Sequence, residues 1–245
     1  MMDDLDFSKK RVLVVGGSSG IGNGIAQGFR ARGAEVHIWG TRTSAGDYSA
    51  EEGSNLEGLH YANVNVADYD ELNAYEPAFD SLDVLVQSQG FVRYKQAEYA
   101  KQGWDEVMDI NINSVMHTAT KFKPMLSKAK GSLIIVSSVS GLQANIGNPA
   151  YAASKAAAIS LTKTLGQSWA RDGIRVNGLA PGLVPTKLTA VTTEDKQRAE
   201  AFLRTIPLRR MGTPEDMAGV ALFLASPLAA YVQGHTLIAD GGLTL

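Results

Sequence analysis

The chain contains no cysteine, which removes disulfides, zinc ribbons, iron–sulfur clusters and thiol catalysis at once and suits a reducing, cytoplasmic setting. Long apolar runs are missing too. None approaches the roughly 18 residues of a transmembrane helix, and the opening MMDDLDFSKK has no apolar core, so neither a membrane span nor a secretory signal is expected. Charge of one sign is likewise absent: 23 Lys and Arg against 25 Asp and Glu leave a net charge of -2. With no basic run to neutralise phosphates, nucleic acid is not an expected partner. Only 8 prolines occur, and no Pro/Gly/Ser tract separates two halves of the 245 residues. One domain is therefore expected, and an apolar fraction of 44% supplies its core.

What the chain does carry is alternation. Short segments at 11–15 (RVLVV), 35–39, 58–64, 82–86, 132–138, 174–180 and 235–240 are rich in Val, Ile and Leu. They predict strands buried on both faces, as in a parallel sheet. Segments 19–32, 68–79, 98–128, 150–172 and 213–226 carry helical patterning between them. Such alternation implies right-handed crossovers and a Rossmann-like, doubly wound α/β fold, with three layers around a parallel sheet of about seven strands. The polar segment 183–212 breaks the pattern and is expected to be an insertion over one edge of the sheet.

The first strand runs directly into Gly16-Gly17-Ser18-Ser19-Gly20-Ile21-Gly22, where a helix begins. Glycines there permit positive φ and let a diphosphate approach the backbone, facing the free N–H groups of the helix N-terminus. The spacing is G-x3-G-x-G rather than the commoner G-x-G-x-x-G, and a tight turn without a ligand would read the same way. The same residues also match G-x-S-x-G, the nucleophile elbow of hydrolases. That elbow needs oxyanion donors from an earlier strand–helix loop, but only one strand precedes it. His37, His60, His117 and His235 form no recognisable triad with it.

The stretch from Ser138 to Lys155 is more specific. Ser138 closes a buried strand, where parallel sheets place reacting groups. Tyr151 begins a helix, with Lys155 one turn on along the same face. A phenol is a poor base near neutrality; an ammonium a few ångströms away is expected to lower its pKa. The pair can then relay a proton to an alcohol oxygen, and the Ser138 hydroxyl can hydrogen-bond the same oxygen.

Taken together, these elements resemble the short-chain dehydrogenase/reductase family, and 3-oxoacyl-carrier-protein reductases within it, over nearly the whole chain. The resemblance implies an NAD(P)-dependent oxidoreductase moving hydride between a nicotinamide and a ketone or secondary alcohol. It makes Tyr151 the general acid/base and gives Lys155 a second role on the nicotinamide ribose. Ser138 orients the substrate oxygen, and Asn111, in MDININ, holds a relay water. Further cofactor contacts follow from Gly16, Ser18, Ser19, Gly20, Ile21 and Gly22, from Asn65 and Val66 beside adenine, and from Gln87 and Gly90. Pro181, Gly182, Val184 and Thr186 approach the nicotinamide amide, and the polar segment beyond becomes a lid. No metal is implied, and a homotetramer is.

Departures from the family pattern are local. Val15 stands where Thr is usual, and Gln87-Ser88-Gln89-Gly90 replaces Asn-Asn-Ala-Gly. The second strand ends in Gly40-Thr41-Arg42 without the carboxylate that would bond an NAD ribose, so Thr41 and Arg42 point to NADP, with NAD the alternative. Phe91, Val92, Leu142, Gln143, Asn145, Ile146, Leu183, Leu188 and Phe202 are candidate substrate walls. Helices 104–126 and 151–170 carry apolar residues around much of their circumference, which predicts a second buried face, with Phe122 or Trp169 on it. Carrier-protein docking would want a basic patch near the site mouth, for which Lys121, Lys123, Lys128, Lys130 and Arg171 are candidates. A nucleotide-binding regulator without turnover is the rival reading from another class.

Overall fold

In the computed structural model, residues 4–49 and 53–245 are described; the first three residues of the acidic opening lie outside them. Seven strands form one parallel sheet in the order β3-β2-β1-β4-β5-β6-β7. They are β1 Arg11–Val15, β2 Glu35–Gly40, β3 His60–Asn63, β4 Val84–Gln87, β5 Ser132–Val136, β6 Arg175–Pro181 and β7 Thr236–Ala239. The chain winds outward from β1 to β3, then returns to pair β4 with the other side of β1. That reversal opens a crevice beyond the strand ends.

Strand period two divides the core into two layers. Val12 and Val14 face one side, packing with Ile25 and Phe29 of helix α1 (Gly20–Arg30) and Leu222 of helix α8 (Pro214–Ala225). Leu13 and Val15 face the other, with Phe122, Leu126, Leu165 and Trp169. Phe122 (0% exposed) and Trp169 (5%) therefore belong to the subunit's own core, not to a surface left for a partner as the apolar patterning suggests. The sheet is apolar on both faces, so it absorbs more of each helix than a one-sided packing would.

The second expected helix is short, α2 Tyr69–Ala74, started by Asp68 accepting from Asp70 N and Glu71 N. The long segment 98–128 is divided into α3 Lys101–Met108, a π-helical turn Asp109–Asn113 and α4 Ser114–Ala129. Helix α5 spans Pro149–Trp169, with proline at its first position, where the missing N–H costs nothing. The 183–212 segment is not featureless: it holds α6 Ala190–Thr193 and α7 Lys196–Thr205. Among the described residues no helix is long and apolar enough to cross a membrane.

Candidate active site

A cleft of about 430 Å³ runs across the C-terminal ends of the strands. At one end lies the glycine loop. Gly16 has φ +75, and a Cβ on Gly22 would fall 2.2 Å from the Gly16 carbonyl oxygen, so only glycines let this loop lie flat against the helix start. One of the expected first-turn donors is already committed: Gly20 N donates to Gly53 O at 3.0 Å. Of that turn, the N–H groups of Ile21 and Gly22 are left to face a bound anion.

At the other end the catalytic candidates meet. Ser138 lies two residues beyond β5 and starts a tight turn, its Oγ accepting from Ser140 N at 3.1 Å. The Ser138 and Tyr151 hydroxyls line the same end of the cleft, close enough for Ser138 to lower the phenol's pKa. Lys155 is one turn further along α5, its Nζ donating to Val136 O at 3.0 Å and lying 5.7 Å from the Tyr151 ring centroid. Burial pushes the Tyr151 phenol up to about 12 and outweighs the lowering by Ser138. The expected lowering by Lys155 is thus absent: the ammonium is turned to the Val136 carbonyl, and burial brings it down to about 8.

Asn111 sits in the π-helical turn and is fully buried. Its Oδ1 accepts from Phe91 N at 2.7 Å, and its two amide hydrogens go to Phe91 O at 2.9 Å and Ser154 Oγ at 3.1 Å. The amide therefore splices the loop after β4 to α5, both of its hydrogens being spent on that join.

Most expected cofactor contacts line the cleft: Gly16, Ser18, Ser19, Gly20, Ile21, Gly22, Thr41, Asn65, Val66, Gly90, Tyr151, Lys155, Pro181, Gly182, Val184 and Thr186. Two do not. Gln87 is fully buried beneath it, donating to Val115 O at 2.8 Å and accepting from Gln89. Arg42 turns away, its guanidinium 4.4 Å over the Tyr48 ring and donating to Asp47 O. Of the substrate walls, Phe91 and Leu188 line the cleft, whereas Leu183 lines a separate cavity and Ile146 is 86% exposed.

Two further residues stand out, one met in the sequence only as a departure from the family pattern and one not marked there at all. Gln89, on the cleft floor, donates to Gln87 Oε1 and Ser114 Oγ, while its own buried Oε1 has no partner among the described residues. An orphaned acceptor there fits a ligand that brings a hydroxyl or amide, as a nicotinamide dinucleotide does. Glu98 is fully buried, accepting from Arg93 N at 3.0 Å, Asn148 Nδ2 at 3.2 Å and Tyr151 N at 2.9 Å. It clamps the start of the helix that carries Tyr151. Nothing in the surrounding QAEYAK distinguishes this glutamate from a solvated one.

The supposed basic patch is spent on neighbours: Lys123 pairs with Asp172 at 2.9 Å and Lys128 with Asp80 at 2.8 Å, while Lys121 and Lys130 bond the carbonyls of Asn73 and Asp172. Lys128 and Lys130 precede β5, so they sit at the sheet end opposite the cleft.

Comparison with known proteins gives a consistent result. A family model described as Enoyl-(Acyl carrier protein) reductase matches residues 15–244. The 3-oxoacyl-(acyl-carrier-protein) reductase FabG of Chlamydia pneumoniae is 38% identical over 248 residues, spanning 98% of this chain and 99% of that protein. Among solved structures, the Pseudomonas aeruginosa RhlG/NADP active-site complex has a TM-score of 0.91 at 31% identity, over 100% of both chains. A gluconate 5-dehydrogenase from Burkholderia cenocepacia, in complex with NADP and tartrate, has a TM-score of 0.89 at 29% identity, covering 99% of this chain and 98% of that one.

Proposed function

The chain belongs to the short-chain dehydrogenase/reductase family of NAD(P)-dependent oxidoreductases, and from that premise we propose that it interconverts a small ketone and its secondary alcohol, with NADP as cofactor and Tyr151 as the proton-transferring group. The observation that carries this reading is that Ser138, Tyr151 and Lys155 line one end of a cleft whose opposite end is the glycine loop. The relatives solved with NADP support the cofactor, as does a β2 end without a carboxylate.

The bound nicotinamide would supply or take up the hydride. Everything else falls to this chain. Ile21 and Gly22 would hold the diphosphate by their N–H groups, and Gln89 Oε1 would accept from the ribose or amide. Tyr151 gives its phenolic proton to the forming alkoxide, and the reverse reaction returns it. Ser138 hydrogen-bonds that same oxygen and lowers the cost of its charge. Burial holds the phenol near 12, and the Lys155 ammonium, 5.7 Å from its ring, is the positive charge placed to favour its ionised form during turnover. Asn111 and Glu98 act on position, fixing the loop after β4 and the first turn of α5.

Reduction of a 3-oxoacyl group on carrier protein is the second reading, favoured by the resemblance to FabG. The lysines singled out for docking do not favour it, because Lys123 and Lys128 are ion-paired and Lys128 and Lys130 lie at the sheet end opposite the cleft. A free small substrate, without nucleic acid or membrane as partner, is the reading preferred here. We infer further that 183–212 covers the substrate: Leu188 within it lines the cleft, and Tyr94, in the loop after β4, donates to Leu188 O. The chain is also inferred to act as a cytoplasmic homotetramer. Surface left for partners is found at Trp104, Met116 and, on edge strand β7, Ile238, which are 39%, 38% and 49% exposed. Purified protein with NADPH and a panel of ketones, acetoacetyl thioester included, tests the activity; light scattering tests the assembly. Binding of NADPH without turnover of any carbonyl would favour the regulator instead.

A further inference from the structure

At the sheet end opposite the cleft, three side chains able to ligate a metal gather on one face. Glu35 opens β2 and His37 follows two residues on, so the strand's period of two turns both to the same side. His60 opens the neighbouring strand β3 and is the register partner of His37. The two imidazoles stack with centroids 4.7 Å apart and planes inclined by 25°, and His37 Nε2 lies 2.8 Å from Glu35 Oε1. One ligand atom from each of the three falls within 4.8 Å of the others, and among the described residues this is the one such group.

The surroundings hold this set in place. Arg11 Nε and Nη2 donate to the two Glu35 oxygens, each at 3.1 Å, and its Nη1 reaches Ser81 O at 3.3 Å. The His37 ring packs on Phe79 at 4.7 Å between centroids. Glu35 and His60 are exposed, so an ion can enter from solvent. Bonds of about 2.0–2.2 Å from zinc to nitrogen and oxygen put ligand atoms up to about 4 Å apart, which small rotations of the two exposed side chains reach from 4.8 Å. Two imidazoles select a transition metal; calcium and magnesium want several oxygen ligands, and a single carboxylate does not supply them. The guanidinium neutralises that carboxylate, so a dication enters a site of no net charge and is held with moderate affinity.

We propose that Glu35, His37 and His60 form a binding site for a divalent transition-metal ion, zinc in particular, which staples strand β3 to β2. The ion replaces the hydrogen bond between His37 and Glu35 Oε1, while Arg11 keeps Oε2 and orients the carboxylate from behind. Water completes the tetrahedral set. Strand β3 is four residues long and lies at the edge of the sheet, paired with β2 alone. A cross-link at its first residue therefore secures the strand that the sheet holds from one side only. The site sits at the opposite strand ends from Tyr151 and the glycine loop, so it takes no part in the hydride transfer proposed above.

The test is calorimetric titration of the full chain, free of any histidine tag, with ZnCl2 and with MgCl2. With no cysteine and only 4 histidines in the chain, few other ligands compete. One zinc per chain should bind with a Kd on the order of 1–10 μM, and magnesium should give no binding heat at the same concentrations. His60→Gln should weaken zinc about tenfold or more and Glu35→Gln about threefold to tenfold. His235→Gln, at an exposed histidine elsewhere, should leave the affinity unchanged. Zinc at about tenfold its Kd should raise Tm by about 3–5 °C in wild type, and by about 1 °C or less in His60→Gln. Thermal unfolding in EDTA checks that each variant folds; should His60→Gln not fold, Glu35→Gln carries the test. Wild type without saturable zinc binding below about 100 μM overturns the proposal. So does zinc binding that the folded variant of the site leaves unchanged, or that His235→Gln weakens as much.

Discussion

The two ends of the cleft are built on different plans. At the end proposed to be catalytic, Ser138, Tyr151 and Lys155 come from one continuous stretch, placed by a strand end, a turn and a single helix. At the nucleotide end, the strand terminus Gly40–Arg42 is completed by an irregular return of the chain. Tyr48 folds back onto it, Gly53 takes the Gly20 N–H, and Asn55 exchanges hydrogen bonds with Asn23 of α1 at 2.8 and 2.9 Å. Rigid elements hold proton-transfer geometry to within a fraction of an ångström, as chemistry requires. A loop suffices to tell one ribose from another, because that choice needs donors in reach rather than aligned orbitals.

The sharpest way to separate the two ends is Tyr151→Phe. It should lower kcat by about 10²–10⁴ or more while calorimetric affinity for NADPH stays within about twofold. A variant keeping more than about half its activity would leave the phenol without its role.

Glu98→Ala comes next. Three N–H donors would lose a buried acceptor, and the cost is about 3 kcal/mol in stability, with a fall in kcat and little change in nucleotide affinity. Glu98→Gln, which still accepts with one oxygen, should recover part of both. Urea unfolding and steady-state kinetics on the pair decide whether α5 needs this clamp.

Lys155 sharpens the comparison through pH. Its buried ammonium sits near 8 against an ordinary 10.5, so between those values the unfolded chain binds more protons than the folded one. Stability from this group is present above 10.5 and is lost as pH falls toward about 8, an effect on the order of 3 kcal/mol. Tyr151 works in the opposite sense at higher pH: its phenol, held near 12 rather than 10.0, stays protonated in the folded state, so its contribution is lost as pH rises from 10.0 to about 12. Denaturant unfolding of wild type and Lys155→Met across pH 7 to about 10 isolates the lysine. Curves that run parallel would show that its proton affinity is not altered by folding.

The smallest effect is expected at Arg42. Its guanidinium covers Tyr48 and bonds Asp47 O rather than lining the cleft. Arg42→Ala should therefore weaken NADPH by only about threefold to tenfold and leave NADH unchanged. A larger loss, measured by fluorescence titration, would place the arginine directly on the phosphate.

How much of this could be read from residues alone differs between the same two regions. Parallel strands announce themselves as Val/Ile/Leu runs because both sheet faces are buried, and all seven were legible. So was the Ser138–Tyr151–Lys155 stretch, since helix periodicity converts a four-residue spacing into one face. Gln87 was misassigned to the cofactor because alternation along β4 decides which side chain surfaces, and it turns Gln87 downward into Val115. Phe122 and Trp169, of which one was expected to face a partner, both lie in the subunit's core, because apolar patterning reveals that a face is covered, not by what.

Sequence by itself determined the alternating α/β architecture, the flat glycine loop and the grouping of Ser138, Tyr151 and Lys155 in one strand–turn–helix stretch, each through local period or backbone permissiveness. Only the tertiary structure decided that Glu98 is buried against the start of α5, that Lys155 turns to Val136 O, and that Tyr48 returns to the end of β2. These contacts join segments whose separation along the chain carries no periodic signal. Burial, moreover, is a property of what packs around a group, so the raised phenol and lowered ammonium exist only once the chain has closed over them.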